Sequence, residues 1–191
     1  MEMLIVIAII AILAVLAVNA YGGARRSAQI DLAADGLVSA LKMQQGLSKS
    51  GRVDAEADNI SRCFGMYFSK DVDEGQTQIQ YVETPYFAIK DNKADVCDLN
   101  DKTMRKYEVD ADFELFMIEK FDQEVDDILI LFKPPFARVV LVDLNTVSAP
   151  SGNISSPFII FGLRLPNGDN EKFVRFDTSA GLTERVYDKQ A

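Results

Sequence analysis

The sequence predicts an α+β protein: a long N-terminal helix packed on an antiparallel β-sheet or sandwich. Three observations carry that expectation. Every residue from Met3 to Val18 is apolar. From Ile30 to Leu41 apolar residues return at spacings of three and four, the period of one helix face. From Cys63 onward the chain is a train of short segments rich in Phe, Tyr, Val and Ile, which reads as strands. The expected organisation is a hydrophobic helix over residues 1–24, its amphipathic continuation over 25–50, and a β-rich globular domain over 51–191.

The hydrophobic segment stays uncharged through Asn19, Tyr21, Gly22 and Gly23 to Ala24. About 22 residues are enough for a helix to cross a hydrocarbon core of roughly 30 Å. Charge returns at Arg25 and Arg26. Three readings compete. A cleaved secretory signal needs a positive leading region, but an acid, Glu2, stands there instead. A simple signal anchor needs cytoplasmic positive charge, and Arg25 and Arg26 taken literally place the large C-terminal part inside the cell. The third reading is that a basic leader lies upstream and that the true mature terminus precedes Met1. It explains both the missing basic region and the acid.

Glu2 itself has two explanations. It sits in the headgroup zone at little cost, or it has a cationic partner in an assembled state. A carboxylate at bilayer depth is otherwise costly, on the order of a few kcal/mol.

The amphipathic stretch places Ile30, Ala34, Leu37, Val38 and Leu41 on one face, with Arg26, Asp31, Asp35 and Lys42 between them. There is no Pro between Met1 and Ser50, so one continuous helix is expected. Gly46 and then Ser48-Lys49-Ser50-Gly51 end it. The expected strands are Cys63–Ser69, Thr77–Ile89, Lys102–Val109, Phe113–Phe121, Ile128–Lys133, Ala137–Asp143, Phe158–Leu165, Glu171–Asp177 and Leu182–Tyr187. The runs Ile128–Phe132 and Val139–Val142 are apolar throughout, which predicts central strands buried on both faces. Lys133-Pro134-Pro135-Phe136 must turn between them, because Pro cannot serve in a central ladder. Pro166-Asn167-Gly168-Asp169 predicts a hairpin.

Composition narrows function. The net charge is −9 over 191 residues, which argues against a general nucleic-acid surface. There is no His, so the commonest general base and metal ligand is missing. No nucleophile–base constellation is present, and neither catalysis nor a cofactor is expected. Asp71, Asp73, Glu74 and Gly75 loosely match a calcium loop but lack its ligand spacing, so an acidic turn is expected. Asp122, Glu124, Asp126 and Asp127 read as a solvated loop before a strand. Asn59-Ile-Ser61 and Asn153-Ile-Ser155 match the glycosylation triplet, which is common by chance. Arg164, Lys172, Arg175, Arg185 and Lys189 are basic, but Asp169, Glu171, Asp177, Glu184 and Asp188 interleave with them, which disfavours DNA binding. Cys63 and Cys97 lack ligand-like spacing. They are two thiols or one disulfide, the latter permitted outside the cytoplasm.

The run from Glu2 to Leu13, EMLIVIAIIAIL, closely resembles the N-terminal segment of type IV pilins and type II secretion pseudopilins. The resemblance implies a short basic leader ending in Gly, removed by a prepilin peptidase that N-methylates the new terminus. It implies that Glu2 is the family glutamate, which pairs with the terminal amine of a neighbouring subunit. Many family members have a Pro where this chain has Asn19; here Gly22 and Gly23 are expected to loosen the helix instead. The later stretches Ala24–Gln45, Phe173–Phe176 and Gly181–Val186 are similar to the minor group, H-type pseudopilins and FimT-like pilins. The implied function is a structural filament subunit. Its implied partners are other pilin or pseudopilin subunits and, before assembly, the lipid bilayer. The implied location is the inner (cytoplasmic) membrane, single-pass with an extracytoplasmic C-terminal domain, then a cell-surface or periplasmic filament. The alternative is a membrane-anchored extracytoplasmic binding module that does not polymerise.

Overall fold

The structure, a computed structural model, describes residues 2–50, 61–70, 78–87, 96–107, 113–120, 123–142, 158–166 and 170–186. It shows one long helix and two antiparallel sheets, the expected α+β class.

Helix α1 runs unbroken over Glu2–Lys49. At 1.5 Å per residue, 48 residues extend about 70 Å. It passes through Gly22 and Gly23 without interruption in the single chain. A glycine costs a helix only about 1 kcal/mol relative to alanine, and established helix on both sides offsets that through cooperativity. The helix ends where expected, with the Ser50 amide donating to the Gly46 carbonyl at 3.0 Å.

Eleven strands follow among the described residues: β1 Arg62–Ser69, β2 Ile79–Phe87, β3 Val96–Cys97, β4 Thr103–Lys106, β5 Glu114–Lys120, β6 Gln123–Glu124, β7 Asp127–Lys133, β8 Arg138–Val142, β9 Phe158–Arg164, β10 Glu171–Asp177 and β11 Leu182–Val186. All nine expected strands are present, with ends shifted by a few residues. The expected end residues Thr77, Ile89, Val109, Phe121, Asp143 and Tyr187 lie outside the described set. The two-residue strands β3 and β6 were not expected. Such short pairings carry no periodic signal and form because a neighbouring strand offers its free edge.

The first sheet runs β3-β2-β1-β7-β8, with β4 also paired to β2; the second runs β11-β10-β9-β5-β6. Every pairing is antiparallel. β9 and β10 form the expected hairpin, with Arg164 opposite Glu171. β7 is a central strand, as its apolar run predicts. Ile128, Ile130 and Phe132 enter the main core, and Leu129 and Leu131 enter a second cluster on the opposite face. The expectation for β8 is corrected. It pairs only with β7 and ends its sheet among the described residues. Its residues are apolar because Val139 and Leu141 pack on one cluster and Val140 and Val142 on the other. A continuous apolar run therefore reports two packed faces, not two paired edges.

The main core joins all three layers. Ile30, Leu37 and Leu41 of α1 meet Met66 and Phe68 of β1 and Phe161 and Phe176 of the second sheet. Phe68 stacks on Phe161 with ring centroids 4.2 Å apart, and Phe132 meets Phe176 edge-on at 5.9 Å. These aromatic pairs bridge the sheets. At Gly65 β1 leaves no room for a side chain beside β7: a methyl group there would overlap the Ile130 carbonyl oxygen and crowd the Leu131 Cα.

Gly65→Ala is expected to lower stability by about 1–3 kcal/mol through overpacking, read as a lower denaturant midpoint with faster amide exchange in β1 and β7. Tyr107 is buried, and burial together with the nearby Tyr81 pushes its phenol up to about 12 from 10.0. The folded state thus holds a proton that the unfolded chain releases first. That contribution to stability is complete below pH 10 and is lost as pH rises towards 12. The denaturant midpoint should fall across this window, and Tyr107→Phe should flatten the fall.

Candidate functional site

The apolar half of α1 is unlike the rest of the molecule. From Ile5 to Leu16 the large aliphatic side chains are 52–62% exposed, and they face every direction around the helix axis. A helix that is apolar all round belongs in a protein core or a membrane. Within this chain none of its most apolar stretch is buried. Leaving one such side chain in water rather than burying it costs about 1.5–3 kcal/mol. No described residue covers that surface, which suits an apolar environment such as a bilayer. The segment is long and apolar enough to cross a membrane, and a helix followed by a β domain is compatible with a single-pass membrane protein. Glu2 is the first described residue of α1; its side chain lies outside the described set.

The other half of α1 is firmly held. Ile30, Ala33, Ala34, Leu37, Ala40 and Leu41 are all buried, four of them expected to be core-facing from their spacing. Val38 is half-buried at the margin of this stripe. Alanines at 33, 34 and 40 bring the helix backbone close to the sheets. Near its end, the buried Ser48 hydroxyl donates to the Phe132 carbonyl oxygen of β7 at 2.8 Å. Gly181, with φ +63°, sits in the turn joining β10 and β11, and a Cβ there would strike the Gln45 side-chain amide. This is one of the positions where a left-handed backbone favours glycine.

Charge orients the same contact. Asp31 accepts from Lys172 Nζ at 3.2 Å and from Arg185 Nη1 at 3.3 Å, and Arg185 also reaches Asp35 Oδ2 at 3.4 Å. Arg164 forks onto Glu114 through two 3.0 Å bonds, and this holds the Glu114 carboxyl below its usual value. Arg175 pairs with Glu184 and lies 4.7 Å from the centroid of the Phe158 ring. Arg164, Lys172, Arg175 and Arg185 thus find acidic partners; Arg175 finds Glu184 of its own sequence neighbourhood, while the other three reach acids far away in sequence. Glu171 lies opposite Arg164 across the hairpin. Asp177 caps its own turn, accepting from the Ser179 and Ala180 amides. Lys189, Asp169 and Asp188 lie outside the described residues.

The acidic group before β7 is solvent-exposed as expected at Glu124 and Asp126, and is also tied to a cation distant in sequence. Glu124 lies in β6, and Lys70 bridges Glu124 at 2.7 Å and Asp126 at 3.1 Å. Asp127 opens β7 and accepts from the Tyr67 hydroxyl at 2.9 Å. The hydrogen bond with Glu124 raises the Lys70 pKa. Lys70 lies 54 residues from Glu124, a partner that local sequence could not supply. Asp122 is outside the described set, as are Asp71, Asp73, Glu74, Gly75, Asn59 and the Asn153 triplet. Among the described residues no group of three or more acidic, His or Cys side chains is placed to hold a metal ion.

Cys63 of β1 and Cys97 of β3 form a disulfide. It ties the short β3 to the sheet centre across a sequence separation of 34 residues, which contributes about 3–4 kcal/mol in the chain-entropy account. Compared with protein-family models, with curated proteins and with solved structures, the chain matches none.

Intact-mass analysis should find no alkylatable thiol in the folded oxidised protein and two after reduction. Two free thiols before reduction would reject the bond.

Proposed function

We propose that the chain is a structural subunit, a pilin or pseudopilin, of a type IV pilus-like filament. The observation that carries this reading is the uncovered apolar half of α1, continuous with a half docked along one face. A bilayer satisfies that surface in one state. Neighbouring copies of the same helix satisfy it in another. The acid at Glu2, ahead of an unbroken aliphatic run, adds a reason to change state. In lipid its charge is poorly accommodated, whereas a neighbour's amine would compensate it in a helical assembly. The resemblance of the Glu2–Leu13 run to pilins supports the same reading, as does the likeness of Ala24–Gln45, Phe173–Phe176 and Gly181–Val186 to the minor, H-type or FimT-like group.

In this proposal α1 stores the subunit in the inner membrane with the β domain outside the cytoplasm, and a prepilin peptidase matures the precursor. The Cys63–Cys97 bond supports an oxidising compartment. We assign the chain no catalysis and no cofactor. A second reading, a tethered binding module that never polymerises, is favoured by a cleft beside α1 described below.

In cells expressing the native gene, Glu2→Ala should reduce incorporation into purified filaments by roughly tenfold, as expected when a contact worth about 1.4 kcal/mol is lost. Membrane insertion and the β-domain disulfide should be unchanged. Normal filament yield from the variant would count against the role of Glu2. Absence of any filament or pseudopilus containing the wild-type chain would favour the tethered module.

A further inference from the structure

A cleft of about 390 Å³ opens between the end of α1 and the β2–β4 side of the first sheet. That volume is within the range of small-molecule sites, about 300–1,000 Å³. Met43 and Leu47 of α1 wall one side, and Phe64 and Tyr81 wall the other. Two features distinguish it from an ordinary surface hollow. The Gln44 side chain lines it and is only 4% exposed, yet among the described residues its amide has no hydrogen-bond partner. Buried amides are nearly always satisfied, so this one is left for something in the cleft. The second feature is charge. Arg105 also lines the cleft, with Lys106 beside it, and no described residue pairs with either. Arg105 stands opposite Tyr81 on the strand face that looks towards α1, so its guanidinium is available to an anion in the cleft. The acid that lines it, Glu83, is held by Arg62 at 3.3 Å.

We propose that this cleft binds a small organic carboxylate with an apolar body. The guanidinium of Arg105 presents a planar fork that matches a carboxylate. The Gln44 amide can both donate and accept, and so takes a carboxylate oxygen or a second polar group on the ligand. The side chains of Met43, Leu47, Phe64 and Tyr81 cover the apolar body. The site is made by the docking of α1 on the sheet, because neither wall alone encloses it. It is independent of the filament reading: the apolar half of α1 contributes none of its lining.

The test uses the full chain in lipid nanodiscs with labelled methionine methyls and phenylacetate as probe. Phenylacetate should shift the Met43 methyl saturably, with a dissociation constant of about 1 mM or lower, and leave the core Met66 methyl in place. The neutral analogue 2-phenylethanol and inorganic phosphate should bind at least roughly tenfold more weakly. Arg105→Gln, at an exposed position, should weaken phenylacetate by roughly tenfold or more; Gln44→Leu should do the same while filling the buried position with an apolar group. No saturable shift would mean the cleft holds water only and would overturn the proposal. So would equal binding of the alcohol or of phosphate, or Arg105→Gln leaving affinity unchanged. Should Gln44→Leu repack the cleft, the Arg105→Gln result decides.

Discussion

The stripe of α1 from Ile30 to Ser48 meets both sheets at once. Met66, Phe68 and Phe132 approach from one sheet and Phe161, Val174 and Phe176 from the other. Remove that stripe and the inner faces lose their common partner. Its small residues matter as much as its large ones. Ala33, Ala34 and Ala40 let the backbone sit close to the strands, while Leu37 and Leu41 fill the space between. Close-packed interiors tolerate little change of volume at such positions.

Polar contacts decide orientation where packing alone would allow sliding. Ser48 fixes the end of α1 on β7, and Asp31 and Asp35 fix its middle against Lys172 of β10 and Arg185 of β11. These charged groups are partly solvated, so each pair contributes no more than about 1 kcal/mol. Their value is register: a slide by one turn would keep partners for only one of the two carboxylates. The rigid docking has a functional consequence. It leaves the apolar half of the same helix uncovered by the described β domain, the surface on which the filament proposal rests.

Much of the fold was legible because its signals are local. The helix was visible as an unbroken apolar run joined to a three-and-four period. Each of the longer strands was visible as a β-rich segment between turn residues. β3 and β6 were not, since two residues carry no period. β8 was misplaced to the centre of its sheet because an apolar run shows that both faces are packed, without showing which edges are paired. Of the candidate functional residues, the aliphatic run stood out by chemistry incompatible with water, and Glu2 as an acid set against it that is poorly accommodated in lipid. The cleft was invisible: Gln44 looks like any polar residue on a helix, and Arg105 like one more surface cation.

By itself the sequence determined that the chain carries a membrane-length apolar helix ending in a soluble face, followed by a β-rich domain. Periodicity and hydropathy are properties of neighbours in the chain, so no tertiary information is needed to read them. Only the tertiary structure decided which distant groups meet. It joined Cys63 to Cys97, gave Lys70 to Glu124, and set Lys172 and Arg185 on acids of α1 more than 100 residues away. It also left Gln44 and Arg105 facing one cleft. Partner choice depends on how the two sheets and the helix close around a single core, and that closure is a property of the whole chain.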